Sequence, residues 1–335
     1  MRKRALPALL LVLLLAGAGL ALTACGDRKA LTIYSGRTEN LVGPLLERFS
    51  EETGTAIDVR YGDTADLALL LAEEGDRTPA DVFFGQSPGA AAFLDREGLL
   101  ATLPQDVLDL VDPRFHARDG AWVGVSGRQR VLVYNRDLVP AAELPDSVFD
   151  LTAPEYRGRV GLAPSNGSFQ DFVTAMRTLE GEDRAAAWLR AMADNDSPTY
   201  ANNNAIVEAV GRGEIPMGLV NHYYNERFLA EDPSLPSRNH TLADGDVGTL
   251  VIPSNVSILA STDQAEAAEE LVRFLLTEEA QRYFAEETYE YPLVEGVPAV
   301  GDLTPLDELH PPRYQPEQLA DLEGTARLIA ESGLD

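Results

Sequence analysis

Short apolar runs alternate with amphipathic stretches over residues 30–94, and this alternation constrains the fold more than any other feature of the chain. Leu31-Thr32-Ile33-Tyr34 reads as a short buried strand. A helix is expected over about Glu39–Glu52, with Leu41, Leu45, Leu46 and Phe49 on one face and Gly54 as its stop. Ile57–Tyr61 alternates as a second strand, Leu67, Leu70 and Leu71 mark a helix that Gly75 closes, and Asp81–Phe84 is a third strand ahead of a helix at Ala90–Leu94. A βαβαβ start of this kind implies a parallel sheet with right-handed crossovers.

The same logic continues downstream. Arg130–Tyr134 and Val160–Ala163 read as strands, Phe169–Leu179 and Ala185–Ala193 as helices. Asn203 or Asn204 is placed to cap a helix containing Ile206, Val207 and Val210. Met217–Val220 is a strand that ends at Asn221-His222-Tyr223-Tyr224. Two further strands, Gly248–Ile252 and Val256–Ala260, precede helices at Gln264–Leu276 and Ala280–Phe284, and a closing helix is expected near Ala320–Ala330. With 335 residues, the chain suits two α/β domains.

The amino terminus reads as an address. Arg2-Lys3-Arg4 precedes a run without charge from Ala5 to Ala21, whose leucine-rich centre is too short to span a bilayer as a typical helix. Leu22-Thr23-Ala24-Cys25 resembles a bacterial lipoprotein signal, which implies cleavage after residue 24, lipidation of Cys25 and a short tether over 25–29. Cys25 is the only cysteine, so no intrachain disulfide is available. The chain carries a formal charge of −27, and residues 1–24 hold three bases and no acid, so the remainder carries −30. That excess argues against nucleic acid or an anionic membrane surface as a partner. No zinc-protease helix motif, P-loop or dinucleotide fingerprint is present.

Several segments, in their order and spacing, carry a resemblance. Ile33-Tyr34-Ser35-Gly36-Arg37, Asp81–Phe84, Ser126–Asn135 and Glu290–Leu293 resemble the extracellular solute-binding proteins of ABC importers. Within that class Asn221-His222-Tyr223-Tyr224 resembles the ferric-ion-binding proteins, whose signature is a tyrosine pair at the lip of the second lobe. The resemblance covers about residues 30–335. It implies a two-lobed periplasmic-binding-protein-like α/β fold with a hinge of crossing strands, lobe 1 being 30–130 plus 252–305 and lobe 2 being 131–251 plus 306–335. It also implies a monomeric, extracytoplasmic, lipid-anchored protein that delivers ferric iron to an ABC permease and its ATPase subunits, and no enzyme activity.

Ferric ion favours anionic oxygen donors, and tyrosine phenolate is one. The resemblance therefore implies Tyr223 and Tyr224 as the metal ligands, whereas the pair by itself also reads as one buried and one exposed tyrosine. On a regular strand they would face opposite ways, so both reach one ion only at an irregular junction such as strand to helix. Two phenolates neither balance three positive charges nor complete the coordination. The resemblance implies carbonate or phosphate as a synergistic anion, held by the start of a helix at Asn166-Gly167-Ser168, by the amides of Asn203 and Asn221, and by Gln86 from the first lobe. Arg128 or Arg130 would add positive charge beside the cleft. Asn166–Ser168 and Asn203 also read as plain helix caps, and Arg128 and Arg130 as surface-paired. His222 reads either as a ligand or as a structural neighbour of the pair.

The pattern also departs from the family. Thr38 stands where a first-lobe histidine is usual, Gly85 where a glutamate is usual, and neither Phe169 nor Gln170 is the extra tyrosine of another branch. Glu39, water or a chelating anion are the substitutes left open. Two other readings remain at this level: the same scaffold carrying an organic anion, a polyamine or a metal chelate, and a secreted hydrolase using paired carboxylates.

Overall fold

The computed structural model describes residues 29–301 and 303–334, so the signal and Cys25 lie outside the described residues. The opening follows the expected order: β1 (Leu31–Ser35), α1 (Glu39–Thr53), β2 (Ile57–Tyr61), α2 (Thr64–Glu74), β3 (Val82–Gly85) and α3 (Pro88–Arg96). In α1 the residues Leu41, Val42, Leu45, Leu46 and Phe49 recur at helical spacing and are buried, and Gly54 at φ 71° accepts the left-handed turn that ends the helix. β1 pairs in parallel with β2 on one side and β3 on the other, as a βαβαβ unit requires.

The chain continues through α4 (Gln105–Leu108), β4 (Val123–Asn135), β5 (Val160–Gly161), α5 (Gly167–Glu180), α6 (Glu182–Asp194), α7 (Asn203–Gly211), β6 (Met217–Asn221), α8 (His222–Glu231) and β7 (Ser237–His240). Then come β8 (Val251–Ile258), α9 (Ala265–Leu275), α10 (Glu278–Glu286), β9 (Tyr291–Pro292) and α11 (Leu322–Ser332). The sheet runs β2-β1-β3-β8-β4-β6-β5, with β7 and β9 also pairing β4.

β4 joins the two halves of this sheet. Val123–Gln129 pairs with β8, and Arg130–Tyr134 pairs with β6. The sequence predicts only the second part as strand, because Gly124, Ser126, Gly127 and Arg128 interrupt the apolar pattern of the first. β8 is likewise one strand where two are expected, and it follows a short turn at Val247–Thr249. Pro253 is tolerated inside β8 because β3 pairs only from Asn255 onward, so that flank of the proline needs no N–H.

Each half has its own core. Ile33, Leu45, Phe49, Phe84, Leu271 and Phe284 fill one, and Phe169, Phe172, Trp188, Leu219 and Val160 fill another. The tail spans both: Leu319 lies against Gly89 of α3, while α11 lies on α5, where Thr174 and Thr325 hydroxyls meet at 2.6 Å and Arg177 pairs with Asp321 at 2.8 Å.

Candidate functional site

β6 ends at Asn221 and α8 starts at the next residue, so the tyrosine pair stands at a strand-to-helix junction. Successive side chains on a helix diverge by about 100° rather than the 180° of a strand. The two rings accordingly lie on one side and stack, with centroids 4.1 Å apart at 29°. Tyr223 is fully buried and Tyr224 half-buried. Burial raises the Tyr223 hydroxyl well above its ordinary pKa, Tyr224 adds to that, and Arg37 opposes it. The Tyr223 hydroxyl has no hydrogen-bond partner among the described residues.

His222 is buried with both ring nitrogens engaged. The Gln129 backbone N–H donates to Nδ1 at 3.1 Å, which leaves Nε2 protonated to donate to the Tyr289 carbonyl at 2.9 Å. Burial pushes its pKa down to about 4. The ring therefore ties the first turn of α8 to β4 and to the loop before β9, and offers no free lone pair to a metal.

Arg37 is a residue that sequence reasoning used only as part of a motif. It is buried after β1, and its Nη2 donates to both carboxylate oxygens of Glu290 at 2.7 and 2.8 Å. Glu290 also accepts from Ser126 Oγ at 3.2 Å and Thr288 Oγ1 at 3.1 Å. Arg37 Cζ lies 5.9 Å from the Tyr223 ring centroid, and its Nε and Nη1 have no hydrogen-bond partner among the described residues. The only signal in the sequence was Arg37 within the opening motif; its partner is 253 residues away.

A polar cluster gathers around the start of α5. Asn166 caps that helix, accepting from the Ser168 backbone N–H at 3.1 Å and its hydroxyl at 2.6 Å. Asn203 Nδ2 donates to Ser168 Oγ at 3.2 Å and Asn166 Oδ1 at 3.3 Å. Asn202, not Asn203 or Asn204, caps α7 by accepting from the Ala205 N–H, and the buried Asn203 has no partner for its Oδ1 among the described residues. Arg130 is buried rather than surface-paired. It donates to the Leu219 carbonyl at 3.0 Å, reaches Ser168 Oγ at 3.5 Å and lies over Phe172 at 5.3 Å. Burial pushes the Arg130 pKa down to about 9, against the opposing influence of Tyr224 and Asp171. Gln86 brings the other half of the molecule to this cluster: its Oε1 is 3.4 Å from where a Cβ on Gly167 would stand.

Arg128 is also buried, its three guanidinium nitrogens have no hydrogen-bond partner among the described residues, and it acts electrostatically on Asp171, His222 and Tyr223. Asn221 is buried beside Arg130 in register and makes no side-chain cap to α8. Glu39 is exposed at the start of α1, beside Tyr61, whose pKa it helps to raise. Thr38 is exposed, and Gly85 lies against Asn255. Among the described residues no group of three or more His, Cys, Asp or Glu side chains is set to hold a metal. The chemistry gathered here is phenol, amide and guanidinium, which suits a hard cation accompanied by an anion better than a bare cation.

The profile of the bacterial extracellular solute-binding protein family matches residues 77–313. The chain is 32% identical over 321 residues to the major ferric iron-binding protein of Neisseria meningitidis serogroup B, covering 94% of this chain and 96% of that protein. It is 30% identical to the Fe(3+)-binding periplasmic protein of Serratia marcescens, covering 91% of each. Its fold matches the crystal structure of iron-bound HitA from Pseudomonas aeruginosa with a TM-score of 0.87 and 34% identity, over 91% of this chain and 100% of that one. The chain, two half-sheets joined through β4 and β8 around a buried polar site, belongs to the bacterial extracellular solute-binding protein family.

Proposed function

We propose that this protein captures ferric iron between two lobes, outside the cytoplasmic membrane, and hands it to the permease and ATPase subunits of an ABC importer. The observation that carries this reading is the stacked Tyr223–Tyr224 pair at the β6–α8 junction, with a Tyr223 hydroxyl that has no hydrogen-bond partner among the described residues and feels the charges of Arg37 and Arg128. Bound ferric ion favours loss of the phenolic protons, and each phenolate supplies an anionic oxygen. The relatives named for ferric iron support the same cargo.

The remaining charge and coordination fall to carbonate or phosphate. Asn166, Gly167 and Ser168 at the start of α5, the Asn203 and Asn221 amides and Gln86 are its proposed cradle, with Arg128, Arg130 and Arg37 supplying positive charge. Lobe 1 comprises residues 30–130 plus 252–305 and lobe 2 comprises 131–251 plus 306–335. The change of β4 partner between Gln129 and Arg130 supports that division. His222, with both ring nitrogens engaged, has no direct part in ligation. Lipidation at Cys25 holds the mature, monomeric protein to the membrane surface.

Loading metal-free protein with a ferric chelate and carbonate or phosphate, then desalting and measuring metal by elemental analysis, tests the cargo. Equimolar retained iron is expected. Retention of no iron under either anion overturns the reading.

A further inference from the structure

The loop over residues 112–118 and the tail over 309–315 enclose a cavity of about 870 Å³. None of the tyrosine-site residues lines it. Its lining holds three arginines, Arg114, Arg118 and Arg313, with two histidines, His116 and His310, against a single carboxylate, Asp112. That balance is the reverse of the whole chain, in which 54 acids face 27 lysines and arginines. Arg114 is paired with Asp112 at 3.2 Å. Arg118 donates to the Gln315 side-chain oxygen but makes no ion pair among the described residues, and neither does Arg313. Among the described residues, two of the three guanidinium groups thus have no carboxylate partner, while His310 lies 3.7 Å from Asp244.

The walls are stiffened by Pro113, Pro311 and Pro312, whose backbone torsions are restricted. The cavity is also tied to the strand that joins the two half-sheets. Tyr314, in its lining, donates its hydroxyl to the carbonyl of Val251 at 3.1 Å, and Val251 pairs with Gln129 where β4 changes partner. A concave space of this volume suits a small molecule rather than a single hydrated ion.

We propose that this cavity is a second binding site, for a small multivalent oxyanion bearing phosphate or several carboxylates. The arginine forks supply charge-assisted, directional donors to such groups. The inference is independent of the iron reading.

The test is calorimetric titration of the purified metal-free protein with pyrophosphate and, separately, with tricarballylate. Saturable binding of either probe is expected, weakening as salt rises. Binding of one probe alone identifies phosphate or carboxylate as the preferred group. Affinity is expected to fall roughly tenfold or more in R118Q/R313Q, because charge-assisted hydrogen bonds are lost. R313E alone should shift it in the same direction. Both arginines are exposed, so the thermal midpoint should stay near that of the parent. Y223F/Y224F should bind the probes as the parent does. The proposal is overturned by absence of binding to both probes at millimolar concentration, by undiminished binding in R118Q/R313Q and R313E, or by loss of binding in Y223F/Y224F.

Discussion

Arg37 and Tyr223 meet inside the protein: the guanidinium carbon lies 5.9 Å from the tyrosine ring centroid, and both side chains are shielded from solvent. Arg37 comes from the loop after β1 and Tyr223 from the first turn of α8, so the contact links elements far apart in the chain. One nitrogen of Arg37 is committed to Glu290, while Nε, Nη1 and the Tyr223 hydroxyl meet the geometric criteria for a hydrogen bond with no other group among the described residues, although Arg37 and Tyr223 act electrostatically on each other.

The Arg37–Glu290 pair predicts a large single-variant effect on stability. Removing one partner of a buried ion pair strands the other charge, at a cost of about 3–5 kcal/mol. Arg37→Met should lose that much in urea unfolding, and Arg37→Met combined with Glu290→Gln should recover most of it. Additive losses in the double variant would show that the two groups are not a pair.

The tyrosines should separate binding from folding. Because the Tyr223 hydroxyl has no hydrogen-bond partner among the described residues, Tyr223→Phe should change metal-free stability by less than about 1 kcal/mol. Its iron affinity, and that of Tyr224→Phe, should fall by more than the roughly 10–100-fold typical of losing an outer partner. His222→Ala should instead destabilise by about 1–3 kcal/mol, since it leaves the Gln129 N–H and the Tyr289 carbonyl unpaired. Competition with a coloured chelator measures the affinities; equal losses in all three variants would contradict these roles.

Asp171 should leave a signature in the pH dependence of stability. It is buried on α5 facing Arg128, Arg130, Ser87 and Tyr314, and burial pushes its carboxyl up to about 6, against the lowering by Arg128 and Ser87. The folded protein then binds this proton more tightly than the unfolded chain, whose carboxyl titrates near 3.9. Its contribution to stability is present below about pH 4 and is lost as pH rises through about 6, by at most about 3 kcal/mol. Asp171→Asn cannot titrate, so the parent should gain stability relative to it between pH 7 and pH 4.5. A difference that stays constant over that range, measured by denaturant unfolding, would exclude this.

Cys25→Ser should move the protein from the membrane fraction to the soluble extracytoplasmic fraction. Fractionation and immunoblotting read this directly, and unchanged membrane association would defeat the lipid anchor.

The opening half-sheet was legible because two of its strands are buried runs, the third alternates, and its helices carry an apolar stripe that ends at Gly54 and Gly75. The tyrosine junction was legible for a similar reason: the apolar run Met217–Val220 stops at Asn221, and only a helical turn lets adjacent rings share a side. What stayed hidden depends on distant partners. The first half of β4 is held as strand by β8 and β9 despite its glycines and polar residues. Arg37 becomes a buried ion pair only through Glu290, and Gln86 reaches Gly167 only once the two halves are together. Capping by Asn202 rather than Asn203 turns on one residue of register, which composition does not encode.

The visible spectrum of the protein titrated with ferric ion in the presence of carbonate or phosphate tests iron ligation by Tyr223 and Tyr224 most directly. A purple-to-red phenolate-to-iron band should grow to saturation at equimolar iron, and it should shift or weaken in Tyr223→Phe and in Tyr224→Phe. A protein that stays colourless, or a band unchanged by both substitutions, would contradict ligation by this pair.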